Sequence, residues 1–321
     1  MIFEKQIINI YRSMAYNRCD DDGTAFYFSA DDFEGLNQEV YEFQSSKGHS
    51  LKGYLYSYDG YIKDRLIVFD HGFGGGHRSY MKEIEKLCKH GFRVFAYDHT
   101  GCMESGGETP NGMAQSLCDL NDCITTLKND FRFVSLDFSV IGHSWGGFST
   151  LNITALHPDI SHIVVFSGFV SVGMLVNSYF SGLLKLYRKP IMALERESNP
   201  KFVDFNAVET LKNSNTKALL IYSDNDMLCN KKVHYDALVN GLSGKENVKL
   251  MLENGKGHNP NYTHDAVGYL GEYISLKSKL VKQKKLITDE QKKEFIEKFD
   301  WNRMTMQDEN VWSAIFEHLD A

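Results

Sequence analysis

Gly142-His143-Ser144-Trp145-Gly146 stands between a short apolar run, Phe138-Ser139-Val140-Ile141, and a helical pattern, Gly147-Phe148-Ser149-Thr150-Leu151-Asn152-Ile153. Strand, sharp turn and helix is the setting in which G-x-S-x-G reads as a nucleophile elbow. Such a turn holds its serine in a strained backbone conformation, and side chains two residues to either side would collide there, hence glycine at 142 and 146. Ser144 is therefore the candidate nucleophile, in preference to an incidental serine in a glycine-rich turn.

The surrounding rhythm fits a sheet able to support that turn. Residues 38–57 alternate apolar and polar around a Ser-Ser-Lys-Gly-His turn, which predicts an antiparallel hairpin. Beyond it come continuous apolar runs: Leu66-Ile67-Val68-Phe69, Val94-Phe95-Ala96-Tyr97, Val140-Ile141, Ile163-Val164-Val165-Phe166, Ala218-Leu219-Leu220-Ile221-Tyr222 and the stretch at Val248–Leu252. Runs apolar on both faces suit parallel strands covered by helices. Helical patterns fall between them at about 79–90, 113–129, 145–156, 230–240 and 262–279. The fold class is thus α/β: a mostly parallel central sheet with an N-terminal antiparallel hairpin and helices on both faces. Residues 169–204, rich in Met, Leu and aromatic side chains, interrupt the alternation as a helical cap or lid insertion. Residues 281–321 form a charged helical extension with an amphipathic stripe at Val311, Trp312, Ile315, Phe316 and Leu319. The whole reads as one domain.

A serine hydroxyl becomes a good nucleophile only when a base takes its proton, and the base needs a partner to orient it. After a nucleophile elbow those partners follow in the order acid, then histidine, at later strand ends. Asp226 lies just past the Ala218 strand, with Asp224 as the alternative acid; the loser could cap the helix starting near Asn230. His258 lies just past the Val248 strand in a glycine-flanked loop, whereas His234 and His264 sit in apparent helices. The charge that develops on a carbonyl oxygen under attack needs waiting N–H donors. Trp145, next to the serine, and Phe73, in the loop Asp70-His71-Gly72-Phe73-Gly74-Gly75-Gly76-His77, are the candidates. That loop carries neither G-x-G-x-x-G nor a Walker lysine, so phosphate cradling is the weaker reading. His71 and Asp98 read as loop supports.

Composition narrows the partners. A formal charge of −7 without a long basic block argues against nucleic acid. No apolar run approaches the roughly 20 residues of a membrane helix, and Met1-Ile2-Phe3-Glu4-Lys5-Gln6 lacks a signal-peptide layout. Cys19, Cys88, Cys102, Cys118, Cys123 and Cys229 show neither metal-ligand spacing nor a disulfide rhythm. Free thiols and a cytoplasmic location follow as expectations.

On four signatures the chain resembles the α/β-hydrolase superfamily: His71-Gly72-Phe73-Gly74; Tyr97-Asp98-His99-Thr100-Gly101 with Ser105-Gly106; Gly142-His143-Ser144-Trp145-Gly146; and Asp226 with Gly257-His258. It is most similar to the branch of serine aminopeptidase-like hydrolases, monoacylglycerol lipases and cinnamoyl or feruloyl esterases, over roughly residues 38–280. The resemblance implies an α/β-hydrolase fold with Ser144 as nucleophile, His258 as base, Asp226 as its orienter, and Phe73 and Trp145 as oxyanion donors. Ser223 and Cys229 depart from the glycine and the apolar residue or proline common in the acid loop, and residues 281–321 have no counterpart. The activity implied is hydrolysis of a small-molecule carboxylic ester through an acyl-enzyme, with no cofactor and no metal. A serine aminopeptidase or amidase, with Glu195 or Glu197 holding the substrate amine, and acyl transfer are the enzymatic alternatives. A binding protein on the same fold is the non-catalytic one. The cap and the extension are the surfaces available for a homo-oligomer.

Overall fold

The apolar runs lie side by side in one eight-stranded sheet of order β1-β2-β4-β3-β5-β6-β7-β8. The computed structural model describes residues 3–321; Met1 and Ile2, the start of the stretch read for a leader, lie outside the described residues. In chain order the elements are α1 (Glu4–Ala15), β1 (Asn37–Gln44), β2 (Ser50–Ser57), β3 (Arg65–Asp70), α2 (Met81–Lys89), β4 (Arg93–Tyr97), α3 (Gln115–Asn129), β5 (Asp137–His143) and α4 (Ser144–Asn152). There follow β6 (His162–Phe166), α5 (Val172–Tyr179), α6 (Arg188–Ser198), α7 (Ala207–Lys212), β7 (Lys217–Ser223), α8 (Tyr235–Gly241) and β8 (Val248–Glu253). Last come α9 (His264–Lys282), α10 (Asp289–Ile296), α11 (Trp301–Met304) and α12 (Glu309–Asp320). β1 and β2 form the antiparallel hairpin, β2 pairs antiparallel with β4, and the remaining pairs are parallel.

Two separate cores explain why the strand runs are apolar without alternation. Leu66 and Val68 of β3 and Leu220 and Tyr222 of β7 enter the core on one face of the sheet. Ile67, Phe69, Leu219 and Ile221 enter the core on the other. Edge strand β8 is only half-buried, as one uncovered side allows. Among the described residues no helix is long and apolar enough to cross a membrane.

Two segments depart from the expectations, and a third finds its place on the body. The helix anticipated at 230–240 starts only at Tyr235, because residues 227–234 turn around Asp226, whose carboxylate takes the Leu228 and Cys229 amides. An element that the alternation did not announce, α1, packs near the 169–204 insertion, where the Tyr11 hydroxyl donates to Glu195 at 2.6 Å. That insertion forms α5, a 3₁₀ turn at Gly182–Tyr187 and α6. The third is the extension. The stripe of α12 is spent on the chain's own body: Val311, Trp312, Ile315 and Leu319 are buried with Val164 and Phe166 of β6 and Leu219 and Ile221 of β7. The segment just before α12 also grips the loop after β8. Buried Lys256 pairs with Asp308 at 2.7 Å. The Asp308 amide donates to Asn261 O at 2.8 Å, and the Thr263 amide donates to Met306 O at 3.0 Å. Trp312→Ala is expected to cost about 3–5 kcal/mol of stability through the cavity it leaves, read from urea unfolding.

Candidate active site

The parallel strands β3, β5, β7 and β8 end at one rim, and each delivers a loop to it. Ser144 begins α4 directly after β5, with φ at 55°, the left-handed region that a side chain rarely adopts. Close packing holds it there. A Cβ at position 142 would lie 2.6 Å from the Gly146 carbonyl carbon, and one at 146 would lie 2.7 Å from His71 O. The Gly146 amide donates to that same His71 carbonyl at 3.1 Å, so the serine turn is fastened to the loop after β3.

Asp226 and His258 meet across the ends of β7 and β8. His258 Nδ1 lies 2.7 Å from Asp226 Oδ2, while Asp226 Oδ1 accepts from the Leu228 and Cys229 amides at 2.8 and 3.0 Å. Burial pushes the Asp226 carboxyl up, but the His258 bond, its charge and the two amides outweigh it and hold the group below its ordinary value. Asp224 is exposed and does different work. It accepts from the Gly255 amide at 2.8 Å, while Asn225 accepts from the Gly257 amide at 2.7 Å. The residue pair thus braces the histidine loop, and Asp224 caps no helix. Ser144 and His258 line one cavity of about 530 Å³ together with Phe73 and Trp145. Trp145 is the second residue of α4, where helix amides have no intrahelical acceptor. Its indole donates to Met113 O at 2.7 Å and meets the Phe73 ring edge-on at 5.0 Å.

A chain of hydrogen bonds that the sequence did not advertise links the loops. The Gly72 amide donates to the Tyr80 hydroxyl at 3.0 Å, and that hydroxyl donates to His143 Nδ1 at 2.7 Å. His143 Nε2 then donates to the carbonyl of His258 at 2.8 Å. One neutral imidazole, acceptor on one nitrogen and donor on the other, therefore ties the Phe73 loop to the His258 loop. Burial first, then the neighbouring His258, pulls the His143 pKa down to about 3, so it stays neutral. Beneath lies a polar layer. Asp70 accepts from Tyr97 at 2.7 Å and from Ser149, and stands 3.1 Å from His99 Nε2. Burial lowers the His99 pKa, yet the Asp70 and Asp119 carboxylates raise it to about 9. His71 accepts from the His99 amide at 2.9 Å, and Asp98 accepts from the His77 amide at 2.9 Å. Both residues thus sit as loop supports.

The two glutamates considered for a substrate amine lie elsewhere. Glu195 is buried and accepts from Tyr11, from Tyr16 at 3.3 Å and from the Met113 amide at 2.8 Å, joining α6 to α1 and the loop before α3. Glu197 borders a different cavity beside Arg12 and Ser13. The cavity that Ser144 lines is instead walled by Ile7, Tyr11 and Met14 of α1 and by Leu175, Tyr179 and Phe180 of the insertion, among others.

This arrangement of fold and site has relatives. The family described as "Serine aminopeptidase, S33" matches residues 62–249. The chain belongs to that hydrolase family. Among curated proteins, a putative carbamate hydrolase RutD of Agrobacterium fabrum is 31% identical over 96 residues, which is 29% of this chain and 34% of that protein. The RutD of Rhizobium rhizogenes is 29% identical over 98 residues, 30% of this chain and 35% of that protein. The chain thus spans about a third of the length of these relatives. Among solved structures, the esterase Pf2001 of Pyrococcus furiosus superposes with a TM-score of 0.60 at 19% identity, covering 83% of this chain and 98% of that one. Est1E of Butyrivibrio proteoclasticus, with ferulic acid bound, gives 0.56 at 18% identity over 74% and 98%. These likenesses show the α/β-hydrolase fold, in keeping with the sequence resemblance.

Within this hydrolase, Tyr80→Phe tests the inter-loop chain. It strips His143 Nδ1 and the Gly72 amide of their partner and is expected to cost about 1–3 kcal/mol in unfolding free energy.

Proposed function

We propose that the protein is a serine esterase for carboxylic esters with an apolar acyl or aryl group. The observation that carries the reading is the cavity beside Ser144: among its described lining residues there is no carboxylate, while Ile10, Met14, Phe169, Val176, Leu184 and Leu228 are among its walls. An aminopeptidase needs an anion to hold the substrate's free ammonium, and burying that cation against hydrocarbon would cost several kcal/mol. A carbamate, the group named for the RutD relatives, is small and polar and would leave these walls unfilled.

In this reading the substrate carbonyl sits over Ser144, and His258 Nε2 takes the hydroxyl proton as Oγ attacks. Asp226 holds the Nδ1–H and stabilises the imidazolium that forms. The Phe73 and Trp145 amides receive the oxyanion. Collapse of the tetrahedral adduct breaks the ester C–O bond, and His258 returns the proton to the departing alcohol. Water, activated by the same imidazole, then attacks the acyl-enzyme and releases the acid. The 169–204 insertion acts as the cap, since Leu175, Tyr179 and Phe180 line the cavity that Ser144 lines. The depressed Asp226 carboxyl keeps its orienting charge below neutral pH.

A panel of p-nitrophenyl esters of increasing acyl length, run beside aminoacyl-anilides, tests the substrate class. Medium-length or aryl esters are expected to be turned over far faster than any anilide, with kcat falling by about 10⁴-fold or more in Ser144→Ala. Faster cleavage of the anilides would contradict the esterase reading. A fluorophosphonate that labels neither the native protein nor the variant would favour a non-catalytic binding protein.

A further inference from the structure

Cys229, which departs from the usual acid-loop pattern, has no part in the reaction just described, yet the fold puts it against the reacting groups. It follows Asp226 by three residues, its amide donates to Asp226 Oδ1 at 3.0 Å, and its side chain lines the same cavity as Ser144 and His258. One ligand atom each from Asp226, Cys229 and His258 lie within 4.8 Å of one another. The Asp226 and Cys229 side chains are buried, and Cys229 and His258 line the cavity. The thiol makes no hydrogen bond among the described residues, so nothing competes for its sulfur.

We propose that Asp226, Cys229 and His258 form an inhibitory site for a thiophilic divalent cation of the zinc class. Carboxylate, thiolate and imidazole are the three donor types zinc takes, and a tetrahedral ion separates its donors by about 3.4–3.7 Å, between the 2.7 Å of the present Asp226–His258 pair and the 4.8 Å within which all three donors lie. The fourth position opens on the cavity, where water completes the shell. The proton balance is simple. Cys229 gives up its thiol proton to solvent as the sulfur–metal bond forms. His258 moves its ring proton from Nδ1, which binds the metal, to Nε2, and Asp226 exchanges its bond to that proton for a bond to the ion. An imidazole protonated on Nε2 cannot accept the Ser144 proton, so hydrolysis stops. Because one proton leaves on binding, inhibition strengthens as pH rises. Binding depends on the ligand set alone; the loss of activity rests on the reading of His258 as the base.

The test uses the purified full chain freed of metal by chelation, in wild-type, Cys229→Ala and Cys229→Ser forms whose folding is checked by circular dichroism. Cobalt(II) chloride serves as the spectroscopic probe and zinc chloride as the inhibitor. Wild type with cobalt is expected to show a thiolate-to-metal charge-transfer band that both variants lack. Zinc is expected to suppress ester hydrolysis reversibly with EDTA, and each variant, scored against its own metal-free rate, needs at least ten times more zinc for half-inhibition. No charge-transfer band in wild type, a band that persists in the variants, or equal zinc sensitivity in all three proteins overturns the proposal. The band reports binding even if no ester is cleaved, so failure of the esterase reading is told apart from failure of the site.

Discussion

The left-handed backbone at Ser144 is the constraint on which the rest of the rim depends. A non-glycine residue held in a sparsely populated conformation costs on the order of 1–3 kcal/mol and persists only where its surroundings over-determine it. Here they do. β5 lies between β3 and β6, Gly142 and Gly146 admit backbone where any side chain would clash, and the Gly146 amide is fixed to His71 O. The polar layer of Asp70, His99 and Asp119 below the loops is buried and paired. The strain at the serine is thereby carried by the whole strand-end layer rather than by the turn itself.

The elements outside the central sheet earn their place by holding this rim. The stretch leading into α12 fastens the loop bearing His258 through Lys256, Asn261 and Thr263. α1 reaches the insertion through Tyr11 and Glu195 and supplies one wall of the cavity. His143 joins the Phe73 loop and the His258 loop by hydrogen bonds from opposite edges of one ring. Peripheral segments thus set where His258 stands and what shape the cavity beside it takes.

Much of this was legible because strand-end residues in an α/β sheet are placed by topology. Continuous apolar runs betrayed the parallel strands, and glycine-flanked serine and histidine after such runs pointed to the rim where Ser144 and His258 share a cavity. The sequence favoured Asp226 over Asp224 without showing their partners, since two residues in one loop differ in which way the turn presents them: Asp226 meets His258, and Asp224 meets the Gly255 amide. Glu195 looked available because its charge was visible and its burial was not. α1 was overlooked because it precedes the hairpin and stands outside the strand–helix alternation, although Ile7, Ile8, Tyr11 and Ala15 recur at helical spacing. The Tyr80–His143 link and the proximity of Cys229 to His258 join residues far apart in sequence, and no local pattern signals such meetings.

The most direct test of the central claim is acid-quench peptide mapping during turnover of p-nitrophenyl butyrate. If His258 and Asp226 make Ser144 a nucleophile at this rim, the mass of one butyryl group appears on the peptide containing Ser144 and nowhere else. A butyryl group on another residue, or turnover with no acyl-enzyme detectable under quench conditions that preserve serine esters, would contradict it.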